Sequence, residues 1–103
     1  MKSMIGKKVI VRASLAGVHV GIITGFYPSE CTVTISNSRR LWSFYTRDKS
    51  GSLSCVAANG LRPDKEHQIG AELKSVTIVE PKGLELDEMT DEAYASVIAY
   101  QNK

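Results

Sequence analysis

A chain of 103 residues with 43% apolar and 23% charged side chains has room for one domain, residues 1–103, and a modest core, and its composition excludes disorder. No apolar run approaches the roughly 18 residues of a membrane-spanning helix, and Met1-Lys2-Ser3-Met4-Ile5-Gly6-Lys7-Lys8 does not read as a secretory signal. The net charge of +2 conceals a polarity, because residues 1–49 set eight basic side chains against Glu30 and Asp48, whereas residues 50–103 hold five basic and nine acidic ones.

Strands come first along the chain. Lys7-Lys8-Val9-Ile10-Val11-Arg12 is a β-branched run with charged ends, and Val18-His19-Val20-Gly21-Ile22-Ile23-Thr24 follows Gly17. Tyr27-Pro28-Ser29-Glu30 is a turn, since proline fixes φ and cannot donate to a ladder. Cys31, Val33 and Ile35 then share one face of a third strand and Thr32, Thr34 and Ser36 the other, so one face is buried and one solvated. Leu41-Trp42-Ser43-Phe44-Tyr45 makes a fourth strand.

Ser52 to Ala58 reads as a two-turn helix, capped by Ser50 or Ser52 and ended by Gly60. Arg62-Pro63-Asp64-Lys65 is a loop and Ser75-Val76-Thr77-Ile78-Val79 a further strand. Residues 84–89 are acidic and ambiguous. Thr90 caps a terminal helix whose first turn carries Asp91 and Glu92, which suits the helix dipole, and whose Tyr94, Val97 and Ile98 share a face. The predicted fold is therefore α+β: a small twisted antiparallel sheet, a meander or barrel-like closure of one, with a short helix after the fourth strand and a C-terminal helix. Open sheet edges in so small a domain lead us to expect a homo-oligomer.

The charge polarity suits an anionic partner on the N-terminal half, or neutralisation of one half by the other within the domain or between subunits. No stripe has the basic density that duplex nucleic acid requires. Cys31 and Cys55 read as reduced thiols of a cytosolic protein. With two lone cysteines and two lone histidines, and no CxxC or HxxxH spacing, neither a metal site nor a cofactor is expected.

The chemistry concentrates in Ala16-Gly17-Val18-His19-Val20-Gly21 and Asn37-Ser38-Arg39-Arg40-Leu41-Trp42. His19 faces opposite to Val18 and Val20, so it is either on a ligand face or a hydrogen-bonded core histidine. No motif pairs it with a carboxylate and a nucleophile, which argues against an enzyme. The glycines form neither GxGxxG nor a P-loop. Two adjacent guanidiniums beside a tryptophan suit a ligand with phosphate and an aromatic ring, because guanidinium binds phosphate bidentately and stacks on aromatic planes. Strand alternation places Arg40 on Trp42's face and Arg39 on Leu41's. The plainer alternative is a structural cation–π contact or salt bridge. The candidate binding residues are Arg12, His19, Arg39, Arg40, Trp42 and Tyr45.

As a set, Val9-Ile10-Val11-Arg12, Ala16 to Gly21, Asn37 to Trp42, and Ser52-Leu53 with Ala57 and Gly60 resemble a family of small proteins encoded by tailed bacteriophages, which carry a VRT-SAGVHFG-like start and an NARRIWYW-like centre. The resemblance covers most of residues 7–60. The chain departs from the pattern at Val20, where an aromatic is usual, and at Ser43-Phe44, where the second aromatic is shifted. The family brings no settled activity, so the resemblance implies a phage origin and a fold rather than a reaction. It makes binding the leading expectation: an anti-defence protein that sequesters a small anionic nucleotide ligand, a cyclic oligonucleotide or ADP-ribose derivative, in the host cytoplasm. A protein–protein inhibitor of a host factor and a minor structural phage protein are the alternatives.

Overall fold

The computed structural model describes residues 4–47 and 51–102, so Ser50 as a candidate cap lies outside the described residues. The elements are β1 (Lys8–Ala13), β2 (Gly17–Tyr27), a 3-10 turn at Pro28–Glu30, β3 (Thr32–Ser43), α1 (Leu53–Asn59), β4 (Gln68–Ile69), β5 (Leu73–Val79), β6 (Glu85–Glu88) and α2 (Asp91–Ala99). One open, all-antiparallel sheet runs β4-β3-β2-β1-β6, with β5 on the first part of β3 along the edge that β4 shares. The α+β expectation holds, with a short helix and a C-terminal helix where the caps placed them. Ser52 Oγ accepts from the Cys55 N–H at 3.2 Å, and Thr90 Oγ1 accepts from the Ala93 N–H at 3.1 Å. No helix among the described residues is long and apolar enough to cross a membrane.

Both faces of the central strands are covered, which is why β1 reads as a continuous apolar run. Ile10 packs with Val20, Leu41, Val56, Ala93 and Val97 beneath the two helices. Val9 and Val11 enter a second core with Ile23, Val33, Ile35 and Ile78 on the other side of the sheet.

That second core exists because the long β2–β3 hairpin bends. Between the pairs Val20↔Arg39 and Ile22↔Ser36, β3 carries one extra residue, and Asn37 sits there with φ +48°. Between Ile23↔Ile35 and Gly25↔Thr34 the extra residue is in β2. Such bulges bend a strand and raise its twist. Gly21 lies inside the bend, where a Cβ would come within 2.9 Å of Ile35 Cβ. The folded-over tip is tied down by Glu80, a buried carboxylate beyond β5 that accepts from the Leu15 N–H in the β1–β2 turn at 3.2 Å and from the Lys82 N–H at 3.3 Å. These donors hold its carboxyl below the usual carboxylate range.

Three segments differ from the sequence reading. The third and fourth predicted strands are one strand, because the break at Asn37 is a bulge rather than a turn; it ends at Ser43, leaving Phe44 and Tyr45 beyond it. The ambiguous acidic segment supplies β6, paired to β1 from Val9↔Glu88 to Arg12↔Glu85. The two-residue β4 carries too little periodicity to be read from sequence.

Candidate functional site

The bulge at Asn37 decides which way each arginine points. It inverts the alternation, so Val33 and Ile35 before it and Arg40 after it share the face of the second core. Arg40 lies opposite His19 in the register, and His19 lies opposite Val11.

The Arg40 guanidinium lies 3.7 Å from the centre of the Trp42 ring, and Trp42 is 61% exposed. On its other side is Gly17, at φ +85°, where a Cβ would lie 2.6 Å from Arg40 Nη2. The glycine thus satisfies the turn and leaves the space that the flat cation occupies. Among the described residues nothing hydrogen-bonds or ion-pairs with this guanidinium. It is a planar, half-buried fork of donors, stacked in place.

His19 is beside it and half-buried. Its Nε2 donates to the Ala16 carbonyl at 2.7 Å, which leaves Nδ1 as an acceptor. Burial chiefly pushes its pKa down, the Ala16 carbonyl opposes this, and the charge of Arg40 adds to the downward push. The ring is therefore neutral at pH 7 and adds no second positive charge.

Trp42 also borders a cleft of about 580 Å3, whose walls include Tyr45, Glu66, His67, Gln68 and Asn102 but not Arg40. Trp42 thus touches both the guanidinium and this space. Tyr45, 51% exposed, carries Lys65 5.7 Å from its ring centre. His67 holds the floor: Nδ1 accepts from the Tyr45 N–H at 3.0 Å and Nε2 donates to the Arg62 carbonyl at 2.9 Å. The chain after α2 closes the outer edge of β4 with side chains. Tyr100 Oη accepts from the His67 N–H at 2.6 Å and donates to the His67 carbonyl at 3.0 Å. The Asn102 amide accepts from the Ile69 N–H at 3.1 Å and donates to its carbonyl at 2.6 Å. An edge that would invite a further strand is thereby filled.

Of the six candidate residues, His19, Arg40, Trp42 and Tyr45 lie along this surface, and two do not. Arg39 is only 7% exposed and lies on the helix side. Its Nε donates to the Gly70 carbonyl at 2.6 Å, its Nη1 to the carbonyls of Val97 (2.9 Å), Ile98 (3.3 Å) and Tyr100, and its Nη2 to the Ile69 carbonyl (3.4 Å). It supplies the positive charge that α2 lacks in its own last turn. Every arm is engaged, so Arg39 is structural. Arg12 is exposed on the helix side as well, opposite Val18 and Glu85, in a separate groove of about 500 Å3 with Phe44, Ser52, Leu53 and Ser54. Near it, Asp87 is pushed up to about 6, mainly by burial and further by Glu85; its Oδ2 is buried without a donor.

The sequence reading missed Glu66, His67, Gln68 and Asn102. The sequence carried no signal for them: Glu66, His67 and Gln68 are three polar residues in a row before Ile69, which reads as a loop, and Asn102 lies beyond the last helix. Among the described residues no group of three or more His, Cys, Asp or Glu could hold a metal ion, and Cys31 and Cys55 are free thiols.

A family model described as a domain of unknown function (DUF6948) matches residues 6–97. No curated protein and no solved structure matches the chain.

Proposed function

The chain belongs to the DUF6948 family, and we propose that it is a binding protein that holds a small phosphate-bearing aromatic ligand of the nucleotide type without chemistry. The observation that carries this reading is the Arg40 guanidinium, stacked on an exposed tryptophan with no acceptor for its N–H groups among the described residues. A structural arginine has its donors taken, as Arg39 does. Phosphate is the acceptor a guanidinium fork matches, and a base has room against Trp42 and Tyr45 in the adjoining cleft, which falls in the usual size range of ligand sites. The ligand then spans the edge of the indole, with base in the cleft and phosphate at Arg40. The neutral His19 offers a hydrogen-bond acceptor beside it.

The resemblance to phage proteins favours sequestration of a nucleotide-type immune signal, a cyclic oligonucleotide or ADP-ribose derivative, as the use of this site in a host cytoplasm. A homo-oligomer belongs to the same proposal, supported by exposed Leu73 and Val79 on β5, and light scattering at micromolar concentration tests it.

Trp42 is the single tryptophan, so its fluorescence reports the site directly. Titration with cyclic di- and trinucleotides and ADP-ribose derivatives should change the emission and raise the melting temperature for at least one of them. Arg40→Ala should weaken that binding about tenfold to a hundredfold, and Arg40→Lys should recover only part of the loss, since the planar fork is missing. Silence across the panel with capture of a host protein would select the inhibitor reading instead.

A further inference from the structure

The cleft beside Trp42 has a polar wall that phosphate binding leaves unused. Resting on the nucleotide reading above, we propose that Glu66 and Gln68 read the base and make the site selective for guanine.

Residues 66–69 alternate: His67 and Ile69 are buried, whereas Glu66 and Gln68 are exposed and line the cleft with Trp42 and Tyr45. Of the other polar side chains on that wall, His67 and Asn102 are engaged, whereas the hydroxyls of Ser43 and Tyr45 have no hydrogen-bond partner among the described residues. Both His67 ring nitrogens are bonded to backbone, and both ends of the Asn102 amide are bonded to Ile69. Among the described residues no donor contacts the Glu66 carboxylate and no partner contacts the Gln68 amide. A free carboxylate and a free amide two residues apart therefore face the space where a base stacks.

An ionised carboxylate has two oxygens that only accept. Guanine presents adjacent donors at N1–H and the N2 amino group, with the O6 acceptor next to them. Glu66 can take both donors while the Gln68 N–H2 donates to O6. Adenine offers an amino donor beside a bare N1 lone pair, which would face the carboxylate unpaired. A bidentate pair of this kind discriminates strongly between bases.

The surrounding charges argue against the competing ligand for such a cleft. A carboxylate between aromatic walls also suits a quaternary ammonium. Here Arg40 already lies over Trp42 and Lys65 over Tyr45. Two cations on the flanking rings repel a cationic guest and attract the phosphates of a nucleotide.

The test uses GMP against AMP and cyclic di-GMP against cyclic di-AMP as probes, titrated into the full chain and followed by Trp42 fluorescence and calorimetry. In at least one pair the guanine compound should bind about tenfold or more tightly. Glu66→Gln should remove that preference by weakening only the guanine compound, and Arg40→Ala should weaken both members of a pair alike. Glu66 is exposed, so its variant should melt with the unaltered protein. Equal binding within each pair, or a guanine preference that survives Glu66→Gln, overturns the base reading and leaves phosphate binding at Arg40 standing. No binding of any of the four overturns the base reading, and with the wider panel silent the nucleotide reading falls too.

Discussion

Arg39 and Arg40 are the same residue type, adjacent in one strand, with opposite fates. Arg39 points under the helices and donates to five backbone carbonyls from Ile69, Gly70 and the end of α2. Arg40 points the other way, stacks on Trp42 and donates to nothing among the described residues. A buried guanidinium is tolerated where its donors are satisfied, and here the satisfaction runs both ways, since the last carbonyls of a helix also need partners. A guanidinium with free donors at an exposed aromatic contributes little to folding and is open to an anion. The contrast separates architecture from site within two residues.

Breaking the architectural arginine should have the largest effect. Arg39→Ala takes the guanidinium donor from the carbonyls of Gly70, Ile98 and Tyr100 and opens a void, so we expect a loss of about 3–5 kcal/mol in urea unfolding. Arg39→Lys should restore only part of it, because one ammonium cannot span carbonyls on two elements.

Gly17→Ala probes the seat of the other arginine. A Cβ at φ +85° is strained, and it would displace the guanidinium. A loss of about 1–2 kcal/mol is expected, with a change in Trp42 emission that an ordinary turn substitution would not cause.

The helix side can be sharpened by pH. Asp87, beside Arg12 and Glu85, has its folded pKa raised to about 6, so the fold binds its proton more tightly than the unfolded chain does. Its contribution is favourable below pH 4 and is lost as pH rises through about 6. Asp87→Asn should therefore stabilise the protein at pH 7.5 by about 1 kcal/mol, once solvent screening is allowed for, and by much less at pH 4. Glu80 has the opposite sign: its carboxyl is held low by backbone N–H groups, so its contribution is present above the ordinary carboxylate range and lost as pH falls below it. Urea midpoints from pH 3 to 8 for the unaltered protein, Asp87→Asn and Glu80→Gln would separate the two limbs.

The smallest stability effect should come from Arg40→Ala. Only a stacking contact is lost, worth about 0.5 kcal/mol, while Trp42 fluorescence changes. A loss comparable to that of Arg39→Ala would end the distinction between the two arginines.

Local chemistry determined much of this protein in advance. Ser52 and Thr90 were legible as caps because a hydroxyl before a helical run has one geometric use. Thr32, Thr34 and Ser36 were legible as a solvated face because side chains alternate along a strand. The same alternation put Arg40 with Trp42 and Arg39 with Leu41. Tertiary structure decided which of those faces was interior. Whether Arg39 or Arg40 was buried depended on the Asn37 bulge and on α2 docking its carbonyls over β3, contacts between residues some sixty positions apart that no local pattern encodes. The cleft was likewise invisible, since Trp42, Tyr45, Glu66 and Asn102 meet only when the chain after α2 fills the edge of β4. Sequence periodicity assigns residues to faces, and long-range packing decides what each face meets.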